Sequence, residues 1–156
     1  KLAAATGVAG LSIEDSTGDR LHPLYDFDLA VERVRAARRA IDESGTGIVL
    51  TGRSEGFVCG RPDIGETIRR LRAYAEAGAD CLFAPRIESV EHVAAIIAAV
   101  SPQPVNLLIN APFMTVAEAA QAADIIMILV PFKFYSIILQ YIIMILIQKI
   151  SKSALF

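Results

Sequence analysis

Up to about residue 123, the apolar positions of this chain alternate between two rhythms; beyond that point they run together. Val8–Glu14, Gly47–Thr51, Asp80–Ala84 and Pro104–Ile109 are short, mostly apolar runs, as expected of strands buried on both faces. Between them, apolar side chains return every three or four residues, the spacing of one helix face. Asp26–Ser44 sets Leu29, Val31, Val34, Ala37 and Ile41 among Glu32, Arg33, Arg35, Arg38 and Arg39. Asp26 or Asp28 suits its N-cap, and Gly45 its left-handed stop. Pro62-Asp63 opens a second helix through Ala77, with Ile64, Ile68, Leu71 and Ala75 as its expected inner stripe and Gly78 at its end. Ser89–Val100 reads as a third helix. Thr115–Ala123 begins a fourth on a Thr-x-x-Glu capping box, Thr115 to Glu118.

Four strand–helix units in succession imply an α/β fold, a parallel sheet covered by helices. A doubly wound nucleotide-binding sheet would carry a glycine-rich turn after its first strand. That turn is instead Asp15-Ser16-Thr17-Gly18-Asp19-Arg20, and Gly45-Thr46-Gly47 precedes a strand. The Rossmann and P-loop readings fail on this point, and a barrel is favoured over an open sheet.

Composition changes the picture at one place. Residues 1–124 hold all 17 acids and all 11 arginines but a single lysine, Lys1, whereas residues 125–156 hold Lys133, Lys149 and Lys152, ten isoleucines, and no acid, arginine or glycine. The chain therefore divides into a body, 1–124, and a hydrophobic tail of aberrant composition, 125–156. Ile125–Ile147 is a 23-residue apolar stretch interrupted by Pro131, Lys133, Ser136 and Gln140. It is expected to be helical and is long enough to span a bilayer. Any membrane association would run through 125–150. A frameshift or chimeric join within the fourth helix is the favoured explanation of the jump, at the cost of the next strand. A membrane anchor and a buried apolar helix are the alternatives.

The other bulk properties mostly exclude. A length of 156 residues suits one domain, and a net charge of −2 with no basic patch gives no reason to expect nucleic acid. Cys59 and Cys81 fit neither a zinc pattern nor a disulfide framework. Lys1-Leu2-Ala3-Ala4-Ala5 is too short for a secretory signal, so a reduced, cytoplasmic setting is expected.

Chemistry concentrates at the strand ends. Gly7–Asp15 delivers two adjacent carboxylates, and Gly47–Gly52 delivers Arg53. In parallel α/β proteins this is the end where ligands bind. Acids beside an arginine suit a metal-bound carboxylate substrate: a hard cation takes oxygen ligands, and a guanidinium fork takes a carboxylate. Each residue also has a plainer reading: a capping acid pair for Glu14 and Asp15, a structural ion pair for Arg53, and a strand-end cap for Asn106. Cys59 reads as a free thiol, Cys81 as a core residue, and His92 as a surface helix residue.

These segments resemble a known family. Gly7–Asp15, Thr51-Gly52-Arg53, Thr67-Ile68-Arg69-Arg70-Leu71, the run Glu76 to Pro85 and Pro104-Val105-Asn106-Leu107-Leu108 are together similar to the isocitrate lyase/phosphoenolpyruvate mutase superfamily, over about residues 7–123. The resemblance implies a (β/α)8 TIM barrel, of which the body would supply strands four to seven, in a protein that is typically a homo-oligomer. It implies a Mg2+-dependent carbon–carbon lyase or hydrolase acting on a small 2-oxo or 2-hydroxy dicarboxylate through an enolate-like intermediate. On that resemblance Glu14, and less directly Asp15, would serve the metal. Arg53 would bind the substrate carboxylate and stabilise the enolate, and Asn106 would hydrogen-bond the ligand. Ser16–Tyr25 would be the mobile catalytic loop, with His22 as proton donor and Asp19 and Arg20 as weaker candidates. That loop departs from the family pattern, having no Lys-x-Cys-Gly-His segment, which argues against isocitrate-type cleavage and leaves phosphonate mutase activity without its loop lysine. Arg86 follows strand six where relatives more often have glycine, and Gly52 stands where they more often have alanine. The alternative to an enzyme is a non-catalytic truncated barrel with a hydrophobic tail.

Overall fold

The computed structural model describes residues 1–109, 111–123, 125–128 and 145–148, the last two segments and Val116 by backbone alone. After a short 3-10 turn at Ala4–Thr6, β1 (Gly10–Glu14), α1 (Phe27–Ser44), β2 (Val49–Arg53), α2 (Ile64–Glu76), β3 (Cys81–Phe83), α3 (Val90–Val100), β4 (Val105–Ile109) and α4 (Val116–Ala122) alternate strictly. β1 to β4 form a parallel sheet in sequence order. Helices α1 to α4 touch their neighbours in turn over it. Unbroken order with no reversal is the arrangement of a barrel wall; a doubly wound sheet reverses at a switch point.

The helix boundaries follow from caps. Asp63, Ser89 and Thr115 each accept the backbone N–H three residues on, and Thr115 with Glu118 completes the capping box. Gly45 takes φ 65° to end α1. Asp26 holds the N-cap position of α1 without a side-chain bond.

Two stripes are rotated from the sequence expectation. In α1, Ala30, Val31, Val34 and Ile41 are buried while Leu29 is exposed. In α2 the inner face is Thr67, Arg70, Leu71 and Tyr74, so an arginine lies where Ile68 and Ala75 were expected. Gly52 is buried in mid-strand, where a Cβ would meet the Tyr74 Cβ at 2.8 Å and the Ala79 Cβ at 3.2 Å. It gives way to a helix packed close above it.

The tail requires a correction. Where a helix was expected from residue 125, the described segments are strands. Ile125–Ile128 forms β5, parallel to β4 with Asn106 opposite Ile125, and Ile145–Gln148 forms β6, antiparallel to β5. Branching at Cβ favours isoleucine in a pleated sheet. The sheet thus gains its next strand, and α4 ends at Ala122, before the composition changes. Residues 129–144, the middle of the apolar stretch, lie outside the described residues. Among the described residues, no helix is long and apolar enough to cross a membrane.

Candidate active site

In-register partners of parallel strands project to the same face, so the register aligns the site. Glu14 pairs with Arg53, Arg53 with Phe83, Phe83 with Asn106, and Asn106 with Ile125. The four side chains from Glu14 to Asn106 form a row across the carboxyl ends of four strands. Arg53 is its centre. Its Nε lies 3.4 Å from Glu14 Oε2 and donates to Glu55 Oε1, while its guanidinium sits over the Phe83 ring, 5.2 Å from the centroid. Glu14 is 49% exposed and Arg53 30% exposed, so both can reach a ligand. Arg33 Nη1 donates to the Glu14 carbonyl at 2.5 Å and its guanidinium stacks on Tyr25, fixing the strand end from the helix side. Asn106 is buried, and its Oδ1 has no hydrogen-bond partner among the described residues.

Asp15 does not join this row. One residue on from Glu14, its carboxylate is 2% exposed and points into the helix layer. Its Oδ1 accepts from the Glu55 amide at 2.7 Å, and its Oδ2 accepts from Tyr74 Oη at 2.7 Å and Arg70 Nη1 at 3.2 Å. Both carboxylate oxygens are thus taken by N–H and O–H donors of the protein. Arg70 also donates from Nε to Glu66 at 2.8 Å. Burial works against the Arg70 charge, but Glu66, Tyr74 and Asp15 together hold its pKa above the ordinary value. Burial and the Asp15 charge push the Tyr74 phenol well above its ordinary pKa.

The loop holding His22 is knit to itself. Ser16 bridges Leu24, Thr17 N donates to the Pro23 carbonyl at 3.0 Å, and Thr17 Oγ1 donates to the His22 carbonyl at 2.5 Å. The Leu21 amide and then His22 hold the Asp19 carboxyl below its ordinary pKa, with His22 Nδ1 3.3 Å from Asp19 Oδ2. The His22 side chain is 83% exposed, and the structure does not bring it to the row. It lines instead a cleft of about 890 Å³ between this loop and the β2–α2 loop, together with Tyr25, Ser54, Arg61, Thr67 and Arg70. Glu14, Arg53 and Asn106 are not part of that lining, so the cleft lies beside the row.

Among the remaining candidates, Cys59 is half-buried, with its thiol 3.8 Å from the Pro23 carbonyl and its pKa pushed up by burial. Cys81 is buried, and His92 is half-buried with its ring edge-on to Phe57. Arg86 is exposed and adopts φ 63°, a left-handed conformation that glycine takes freely and arginine does not. Sequence reasoning missed Glu55, Phe83, Arg70 and Tyr74. The available signal was Arg70 itself, spaced with Thr67, Leu71 and Tyr74 on one helix face, where a buried charge requires a partner.

Among the described residues no three His, Cys, Asp or Glu side chains gather to hold a metal ion. Glu14 is the one acid of the row.

Comparison with known proteins places this geometry. The family profile of phosphoenolpyruvate phosphomutase matches residues 1–143. No curated protein sequence matches. A protein of Burkholderia cenocepacia J2315 classed as a lyase/mutase is 44% identical with a TM-score of 0.68, covering 70% of this chain and 39% of its own. A 2,3-dimethylmalate lyase of the PEP mutase/isocitrate lyase superfamily is 32% identical with a TM-score of 0.70, covering 80% and 45%. An oxaloacetate acetylhydrolase is 32% identical with a TM-score of 0.68, covering 80% and 44%. The chain thus spans less than half the length of these enzymes. By the profile and by these structural relatives, it belongs to the phosphoenolpyruvate phosphomutase family, within the PEP mutase/isocitrate lyase superfamily.

Proposed function

We propose that this chain forms one wall of the active site of a Mg2+-dependent carbon–carbon lyase or hydrolase for small 2-oxo or 2-hydroxy dicarboxylates. In this reading the body is strands four to seven of a (β/α)8 barrel and the Glu14–Asn106 row faces the barrel interior. The observation that carries it is the seating of Arg53, flanked by Glu14 and Glu55 above Phe83. A guanidinium held between two acids is already oriented before a ligand arrives. It binds a substrate carboxylate and stabilises the enolate charge that develops as the bond breaks. Asn106 Oδ1, buried and without a partner among the described residues, accepts a hydrogen bond from a substrate hydroxyl.

Magnesium enters through the relatives, one of which is a phosphonopyruvate hydrolase solved with oxalate and Mg++. Glu14 would orient it directly or through water, with the remaining oxygen ligands supplied by water or by groups other than the described ones. His22 is the proton donor of this reading only if its loop swings toward the row. A second reading is a non-catalytic partial barrel: the chain spans less than half the length of the enzymes it resembles.

The test is turnover of 2,3-dimethylmalate and oxaloacetate with Mg2+ and with a chelator, following release of a 2-oxo acid or of oxalate. Metal-dependent turnover that drops about 100-fold or more in Arg53→Ala supports the enzyme. Turnover unaffected by Arg53→Ala overturns the role given to that residue, and no turnover by the chain supports the non-catalytic reading.

A further inference from the structure

We infer that Asp15 is a positioning residue, which aims Arg53 at the ligand by anchoring the backbone that carries Glu55. Three elements meet at its carboxylate: the end of β1, the start of the β2–α2 loop, and helix α2. Oδ2 is occupied from the helix by Tyr74 and Arg70, so the carboxylate cannot turn away. Oδ1 is therefore fixed where it receives the Glu55 N–H, at 2.7 Å. Two further backbone bonds lock the same stretch: Asp15 N donates to the Arg53 carbonyl at 3.2 Å, and Ser54 N to the Phe83 carbonyl at 2.9 Å. Residues 53–55 are thereby held on both sides. The Glu55 side chain is 5% exposed and takes Arg53 Nε as its ion-pair partner.

The path is short and continuous: Tyr74 and Arg70 fix Asp15, Asp15 fixes the Glu55 backbone, and Glu55 fixes Arg53. Glu14 alone would hold the guanidinium loosely, at 3.4 Å and half exposed. A long side chain ordered before binding loses less entropy when the ligand arrives.

This inference rests on Arg53 being the carboxylate-binding group, but it can be tested first without a ligand. In the unmodified full chain, the Glu55 amide should exchange its hydrogen as slowly as the amides of β2. Fast exchange there would overturn the anchor. The Arg53 Nε–H signal, identified by its loss in R53K, should be protected from exchange in the unmodified chain and lose that protection in D15N. An unchanged Nε–H in folded D15N overturns the proposal. Oxalate with Mg2+ then reads the consequence by calorimetry. D15N should weaken binding about tenfold, and by less than about twofold in the R53K background, since coupled residues show non-additive effects. Equal weakening in both backgrounds would make Asp15 a structural residue only. Failure of oxalate to bind the unmodified chain counts against the proposed site, while the Nε–H result still decides the role of Asp15.

Discussion

Glu14 and Asp15 are adjacent acids with opposite surroundings. One is half exposed beside Arg53 on the face of the row; the other is sealed beneath Tyr74 and Arg70 on the helix side. Successive strand residues point to opposite faces, so a single peptide step separates a half-exposed carboxylate from a buried one. The comparison teaches that an acid pair at a strand end is two sites. Chemistry on one face depends on order enforced from the other.

The sharpest way to break this contrast is to truncate each acid in turn. Asp15→Ala leaves Arg70 without one of its carboxylates and Tyr74 without an acceptor, and should cost about 3–5 kcal/mol in denaturant unfolding. Glu14→Ala removes an exposed pair and should cost under about 1 kcal/mol. Similar losses for both would erase the distinction. A smaller effect follows from pH. The folded Tyr74 pKa is raised above its ordinary 10.0, so the folded state holds that proton more tightly than the unfolded chain. Stability from this group is fully present below pH 10.0 and falls as pH rises beyond it, by about 1.4 kcal/mol per pH unit. Tyr74→Phe should remove that dependence from an alkaline unfolding series. The smallest effect concerns the loop after β3. Arg86→Gly relieves the φ of 63° and should raise stability by about 0.5–1 kcal/mol, read as a higher thermal midpoint, with Arg53 undisturbed.

Much of the fold was legible in the sequence because local signals agreed. The strand runs, the caps at Asp63, Ser89 and Thr115, and the stop at Gly45 all fall where local chemistry puts them. The alignment of Glu14 with Arg53 was likewise readable from two strand ends. What escaped was tertiary. Asp15 was placed with Glu14 on the metal side, though less directly, because only packing shows which strand face α2 covers. The inner stripe of α2 was placed on Ile64, Ile68, Leu71 and Ala75, since an arginine at its centre reads as solvent-facing until its buried acid is known. The isoleucine-rich segment after residue 124 read as a helix because long apolar runs do not separate helix from strand by periodicity.

The neck of the loop holding His22 has a consequence of another kind. Tyr25 N donates to the Asp15 carbonyl at 2.9 Å, so the nine residues between them leave and re-enter the fold at one point, the end of β1. Most of their internal bonds stay within the loop. Such a segment is a cassette: its sequence can be exchanged while the row, the neck and the buried anchor stay unchanged. The departure of Ser16–Tyr25 from the lyase loop is the kind of change that this arrangement tolerates.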